Sequence, residues 1–372
     1  MVKQLTALAI CGILLDAALL HAQAPGRRKR TVTDEEVMRV HRSALLIDTH
    51  NDITSRTVDG ADIGQPLTNT HTDLGRMKKG GMGAVFFAVY VAASYTEGNH
   101  SAKRALDMID TVKHDIAGRY PGDFMPATTA AEIREAHRHN KIAALMGLEG
   151  GHAIEDDLRL LRIFYNEGVR YMTLTHTNSN HWADSSGDAN KPNNGLSAFG
   201  KDVVREMNRL GMIVDVSHVA DKTFWDALET SQAPIFASHS SARAIANVPR
   251  NMTDEMIVAM AKKDGVIQIN FNCGFLKTDA GTPPHADVSD VVKHINHVVE
   301  IAGIDAVGLG SDFDGVMCVP QGLEGVDKWP NLTRALLEEG YTQDEIVKIY
   351  GGNTLRLMTR VEKVAASFNA VK

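Results

Sequence analysis

The chain lacks the features of a disulfide scaffold and of a nucleic-acid binder. It has three cysteines, Cys11, Cys273 and Cys318, too few for a disulfide framework and too scattered for a zinc–thiolate site, which needs close pairs. Cys273 and Cys318 follow neighbouring strand candidates, so one bridge is geometrically conceivable, but buried or free thiols are the expectation. There is no clustered basic surface. The net charge is −7, with acidic and basic residues interspersed, and neutralising phosphates takes clustered Lys and Arg, so no nucleic-acid partner is expected. No G-x-G-x-x-G follows a strand candidate, which leaves a dinucleotide fold without support. Internal repeats and low-complexity segments are absent, and no apolar run reaches the roughly 20 residues of a membrane-spanning helix.

The longest apolar stretch, Leu5 to Leu20, follows Lys3 and ends before Ala22-Gln23-Ala24. This is the pattern of an export signal cleaved after a small residue. Residues 1–24 are therefore expected to be removed and the protein to be secreted or periplasmic, although Asp16 and the run Arg27-Arg28-Lys29-Arg30 are atypical of such signals. The polar C-terminus, RVEKVAASFNAVK, has no apolar tail for a lipid anchor, so no stable membrane attachment is expected. Residues 25–42 form an extension with a helical pattern, in which Thr33 and Glu36 are spaced as a capping box. A single domain is expected over 43–365.

From Ser43 onward, short aliphatic runs alternate with amphipathic stretches. Strand candidates are 44–48, 84–91, 142–148, 170–175, 212–216, 234–238, 265–271 and 306–310. Helical patterns lie near 101–118, 156–167, 197–210, 219–230, 252–263, 287–302 and 331–339, with a shorter one around Leu74–Lys79. Near-continuous apolar runs fit strands buried on both faces. Eight strand–helix alternations predict a (β/α)8 barrel, an α/β fold whose functional mouth lies at the C-terminal strand ends.

Residues suited to ligate metal follow these runs in succession: His50 and Asp52, Glu149, His218, His239. Any one of the chain's 16 histidines is more often a satisfied polar residue than a ligand. What singles these out is their shared placement at one end of the barrel, where three imidazoles and two carboxylates would suit a pair of zinc ions. Asp48 lies deeper in the first strand and is expected to orient a ligand. His114, His137, His139, His294 and His297 sit on helical patterns and are expected at the surface. The polar segment 176–196 reads as a loop at the active face.

The run LEGGHAIEDDLRLLRIFYNEGVRYMTLTH (148–176) resembles the signature of the membrane (renal-type) dipeptidase family. IDTHND (47–52), DVSH (215–218), SHSSARA (238–244), VPRN (248–251) and GSDFDG (310–315) match its other motifs in order. The resemblance covers roughly residues 35–360 and implies a two-zinc hydrolase that splits dipeptides with a metal-bridged hydroxide. His50 and Asp52 would hold one Zn2+ and His218 and His239 the other, with Glu149 bridging both. Asp312 would move the proton, His176 would stabilise the oxyanion, and Arg250 would grip the substrate carboxylate. Asp314, two residues on, is the alternative to Asp312, which strand direction favours. Other barrel amidohydrolases, such as lactonases and deaminases, are the enzymatic alternative; many of them carry His-x-His after the first strand, where this chain has His50-x-Asp52. A non-catalytic scaffold should have lost a ligand, and none is missing. A homodimer stays open.

Overall fold

In the computed structural model, residues 27–370 are described except 280, 283 and 284. The expected export signal, residues 1–24, lies outside the described residues. Nine parallel strands form one sheet: β1 Leu46–Asn51, β2 Met82–Tyr90, β3 Phe124–Pro126, β4 Ile142–Glu149, β5 Val169–Thr173, β6 Ile213–Asp215, β7 Phe236–Ser240, β8 Val266–Ile269 and β9 Val307–Leu309. The order is β1-β2-β4-β5-β6-β7-β8-β9, so the eight expected strands form the ring of a (β/α)8 barrel. β3 is an addition. It pairs with Ile142–Ala144 at the start of β4, while β5 pairs with β4 only from Met146 onward. Three residues ending in Pro126 are too short a signal to read as a strand.

The ring closes between β9 and β1 through the segment just past β9. Asp312 N donates to His50 O at 3.0 Å and Asp52 N to Phe313 O at 2.8 Å, and Asn51 and Phe313 form an isolated parallel bridge. Asp48 completes the closure. Its carboxylate accepts Ser311 Oγ at 2.6 Å and Ser311 N at 2.8 Å. Its Oδ1 also accepts from His50 N at 3.4 Å, so among the described residues it meets that ligand candidate through the backbone rather than the ring.

Side-chain alternation divides the apolar residues into two layers. Ala84, Phe86, Leu145, Tyr171 and Phe236 belong to an inner cluster with the helices Ala130–Arg138 and Asn353–Asn369, while Val85, Phe87, Met146 and Met172 join the outer layer under the other helices. Both of those helices were missed in the sequence. The expected helices form, and several have a local reason to begin or end. Ser197 caps Ala198–Leu210 by accepting from Gly200 N, and Gly211 ends it at φ 88°. Thr33 caps Asp34–Ser43 by accepting from Glu36 N. The reciprocal arm of that capping box is absent, because the Glu36 carboxylate pairs with Arg30 at 2.7 and 2.9 Å; a two-point bond to a guanidinium is stronger than one to a neutral amide.

Two expectations fail for reasons of packing. Cys273 and Cys318 are bridged rather than free, with Cα atoms 5.6 Å apart; β8 and β9 are adjacent, and their following loops meet. His294 is buried rather than exposed. Its Nδ1 accepts from Ala242 N at 3.0 Å and its Nε2 donates to Leu276 O at 3.0 Å. Burial pushes its pKa down to about 4. The unfolded chain therefore binds more protons than the folded one between about 6.5 and 4, and stability is lost as pH falls through that window. Thermal midpoints of the wild type and His294→Gln should converge on acidification from pH 7.5 to 4.5, with the variant weaker at the start and losing less. Parallel decline of the two would refute this account of His294.

Candidate metal centre

The C-terminal ends of β1, β4, β6 and β7 deliver five donor residues to one spot. Glu149, the last residue of β4, turns its two oxygens toward different partners. Oε2 lies 3.4 Å from His50 Nε2, whereas Oε1 lies 3.0 Å from His218 Nε2 and 3.3 Å from His239 Nε2. Asp52 Oδ2 is 3.1 Å from His50 Nε2, and the two Nε2 atoms of His218 and His239 are 3.0 Å apart. The His50 and His239 rings stack with centroids 3.8 Å apart. Metal–nitrogen bonds of ~2.0–2.1 Å in a tetrahedral site put neighbouring ligand atoms about 3.3 Å apart, so these spacings are those of ligand-polyhedron edges.

The protonation pattern leaves the inward nitrogens free. Tyr171 Oη donates to Thr49 O at 3.1 Å, so at 2.7 Å it accepts the Nδ1–H of His50. His50 Nε2 is then a bare lone pair, buried and without a hydrogen-bond partner among the described residues. Ser238 Oγ donates to Asp215 Oδ2 at 2.6 Å, so at 2.7 Å it accepts the Nδ1–H of His239. Asp215 is itself held by the amides of Ser217 and Ser238 at 3.0 and 2.8 Å. Such outer partners fix the tautomer and aim of a ligating imidazole. A buried carboxylate facing the inward lone pairs of His50 and His239, with His218 Nε2 beside them, calls for positive charge between them, and a divalent cation fits this donor set. Gly147 makes the Tyr171 contact feasible: a Cβ there would lie 1.9 Å from the tyrosine ring.

Asp312, just past β9, accepts Asn270 Nδ2 on Oδ2 at 2.7 Å. Burial, with the nearby Asp52 and Glu149 carboxylates adding and His50 and Arg250 opposing, pushes its carboxyl up to about 8. One donor atom each from His50, His239 and Asp312 falls within 4.8 Å, as it does for Glu149, His176 and His218. A Cβ at Gly315 would meet Asp52 Oδ2 at 2.4 Å and Asp312 Oδ1 at 2.5 Å, so both oxygens face one small space that only glycine leaves open. Asp314 points away: its Oδ1 accepts His71 N at 2.7 Å. His218, Asp312 and Asp314 all have left-handed backbone, φ 67°, 62° and 68°, strain of the kind that clusters at functional sites. For His218 the loop after β5 holds the turn, with Ser186 N donating to His218 O at 2.7 Å and Ser185 Oγ at 3.1 Å.

His176 stands at the rim, its Nε2 4.0 Å from Glu149 Oε1 and its ring 4.5 Å from that of His218. Arg250 is partly buried over Phe275, with Nη1 on Ser240 Oγ at 2.6 Å and Nη2 on His239 O at 2.7 Å. Those bonds use two of its five N–H donors, and Nε has no partner among the described residues. Asn251 is buried, donating to Ala246 O and Phe275 O at 2.8 Å each, so it anchors the loop. Every site residue expected from the sequence thus gathers at one mouth. Sequence reasoning missed Tyr171, Asp215, Ser238 and Asn270, which hold them there. The signal was the alternation that turns Tyr171 inward and the placement of Ser238 directly before a ligand.

Solved structures with this architecture include a metallopeptidase from Rhodobacter sphaeroides liganded with a phosphinate mimic of the dipeptide L-Ala-D-Ala. It is 29% identical, with a TM-score of 0.78, covering 86% of this chain and 99% of that one. The dipeptidase AC, a family M19 metallopeptidase, is 30% identical with a TM-score of 0.79, over 86% of this chain and 98% of that one. The probable dipeptidase PvdM from Pseudomonas aeruginosa, at 23% identity and a TM-score of 0.81 over 89% and 98% of the two chains, shares the fold. The family model for membrane dipeptidases, peptidase family M19, matches residues 34–372, and the chain belongs to that family.

Proposed function

We propose that this metallodipeptidase is an exported, zinc-dependent enzyme that hydrolyses dipeptides to free amino acids. The observation that carries this reading is the division of Glu149, one oxygen toward His50 and the other toward His218 and His239. His50 with Asp52, and His218 with His239, would hold two zinc ions bridged by Glu149. When bound, such ions lower the pKa of water toward neutrality and polarise a carbonyl. The dipeptide mimic in the Rhodobacter relative supports the substrate class.

The remaining work falls to the chain's own groups. Asp312 is the proton carrier. Asn270 occupies its Oδ2, so Oδ1 is the oxygen free to take a proton and return it to the leaving amine. His176 is placed to donate to the oxyanion from the side of Glu149 Oε1. Arg250 keeps unused donors for the substrate carboxylate, a planar target that a guanidinium matches bidentately. The disulfide supports export, since such bonds persist in oxidising compartments.

Three outcomes test the reading. Purified protein supplied with zinc should hold two zinc ions per chain, and His218→Ala should hold one fewer and lose at least about a hundredfold in kcat; full activity with unchanged metal content would refute the ligand assignment. Amidating the dipeptide C-terminus and substituting Arg250→Met should each lower kcat/KM by roughly 30-fold or more, equivalent to about 2 kcal/mol or above, and the combination should cost little more than either alone. Wild-type cleavage of the amide at the rate of the free acid would remove Arg250 as the anchor. Protein isolated from its host should begin near Pro25 and, when denatured without reductant, titrate no thiol, because Cys11 is gone and Cys273 and Cys318 are bridged. One reactive thiol with an intact Met1 would overturn export.

A further inference from the structure

Beside the metal centre, a cavity of about 350 Å³ opens among the loops that follow β2, β4 and β5, and His176 is one of its walls. Ligand pockets run from ~300 to 1,000 Å³, so this one suits a single side chain. Its other walls include Ser101, His152, Glu155, Asp156 and Asn178, and among the described residues no Lys or Arg lines it. Its formal charge is negative, from Glu155 and Asp156, and it presents acceptors among its polar groups. Ser101 is fully buried and its Oγ has no hydrogen-bond partner. The His152 ring lies against the Val91 and Ala92 carbonyls, and its Nε2 is likewise buried and without a partner among the described residues. Burial lowers the pKa of this imidazole, which keeps it neutral. Glu155 and Asp156 are consecutive left-handed residues, φ 47° and 54°, a costly turn that presents two carboxylates at the rim. Glu155 Oε1 accepts Ala102 N at 3.0 Å, which offsets the positive end of the helix Ser101–Asp110. Among the described residues Asp156 is paired with the exposed His181, at 2.6 Å.

The position relative to Arg250 decides which part of a dipeptide reaches this cavity. Arg250 is fastened to β7, and the cavity lies on the β2–β4–β5 side of Glu149. With the substrate carboxylate at Arg250 and the scissile carbonyl beside Glu149 and His176, the amino-terminal residue faces the cavity. We propose, resting on the dipeptidase reading above, that this cavity is the subsite for the side chain of the substrate's amino-terminal residue and that it selects a cationic, lysine-like one. The ammonium donates to Ser101 Oγ, His152 Nε2 and the Asp156 carboxylate, while an acidic side chain meets the like charge of Glu155 and Asp156 with no Lys or Arg among the described lining residues to pair with it.

The test is kcat/KM for Lys-Ala, Gln-Ala, Glu-Ala and Gly-Ala with zinc-loaded wild type, Asp156→Asn and Asn178→Lys. Asparagine tolerates the left-handed backbone of position 156, and position 178 is exposed with ordinary backbone, so both variants keep the fold. Wild type should favour Lys-Ala over Glu-Ala by about tenfold or more with Gln-Ala between them, Asp156→Asn should shrink that ratio severalfold, and Asn178→Lys should shrink it further. A wild-type ratio near one alongside brisk Gly-Ala cleavage, or a ratio unmoved in both variants, overturns the subsite and leaves the dipeptidase reading standing. Failure to cleave any of the four dipeptides overturns the dipeptidase reading itself, and the subsite falls with it.

Discussion

The structure depends on the Glu149 carboxylate at the end of β4. It is buried and faces imidazole nitrogens from β1, β6 and β7, and the rings of His50 and His239 have their protons held on the far side. Lone pairs and anionic oxygens converging at about 3 Å repel unless positive charge lies between them. Tyr171 and the Asp215–Ser238 pair prevent the rings from turning away to relieve that repulsion. The cost appears in the backbone, where His218 and Asp312 are held left-handed. The barrel scaffold therefore maintains a constellation that would spread apart if its members were free.

Fold closure and site assembly use the same contacts. The barrel ring is joined between β9 and β1 by amides and carbonyls of His50, Asp52, Asp312 and Phe313, with Asp48 clasping Ser311 inside the ring. A substitution that loosens this seam would unseat His50, Asp52 and Asp312, the proposed ligand pair and proton carrier, together. Asp48 itself is an expensive clasp, since burial raises its pKa to about 6. The three bonds offered by Ser311 and His50 N offset part of that desolvation.

The barrel and the ligands were legible because both are written as local pattern: an apolar run long enough for a strand, then a residue able to bind metal. What escaped was whatever depends on which strands become neighbours. Tyr171 and Ser238 sit within runs that read as core, and their polar atoms matter only once β5 and β7 are set beside β1 and β6. For Cys273 and Cys318 the neighbouring strand candidates made a bridge conceivable, but whether it forms depends on how closely the loops after β8 and β9 approach, which spacing alone cannot supply. His294 misled because a polar residue on an amphipathic helix ordinarily faces water. Here the 241–252 loop and the turn Cys273–Leu276 present it with one amide and one carbonyl, and two satisfied nitrogens make burial tolerable.

The loops after β8 and β9 hold Asp312, the proposed proton carrier. Asn270 leaves β8 and binds one oxygen of Asp312, which leaves β9; the other oxygen faces the space above Gly315, shared with Asp52. Three residues past Asn270, the disulfide ties the same two loops, and Cys273 N donates to Cys318 O at 3.2 Å beside it. A carboxylate that must hold and then release a proton works best with one oxygen committed and the other aimed, because each rotamer it could adopt instead dilutes the productive one. The bridge and the asparagine remove those alternatives from opposite ends of one short segment. The role proposed for Asp312 therefore rests on how few ways the surrounding chain leaves that carboxylate to point, as well as on its displaced pKa.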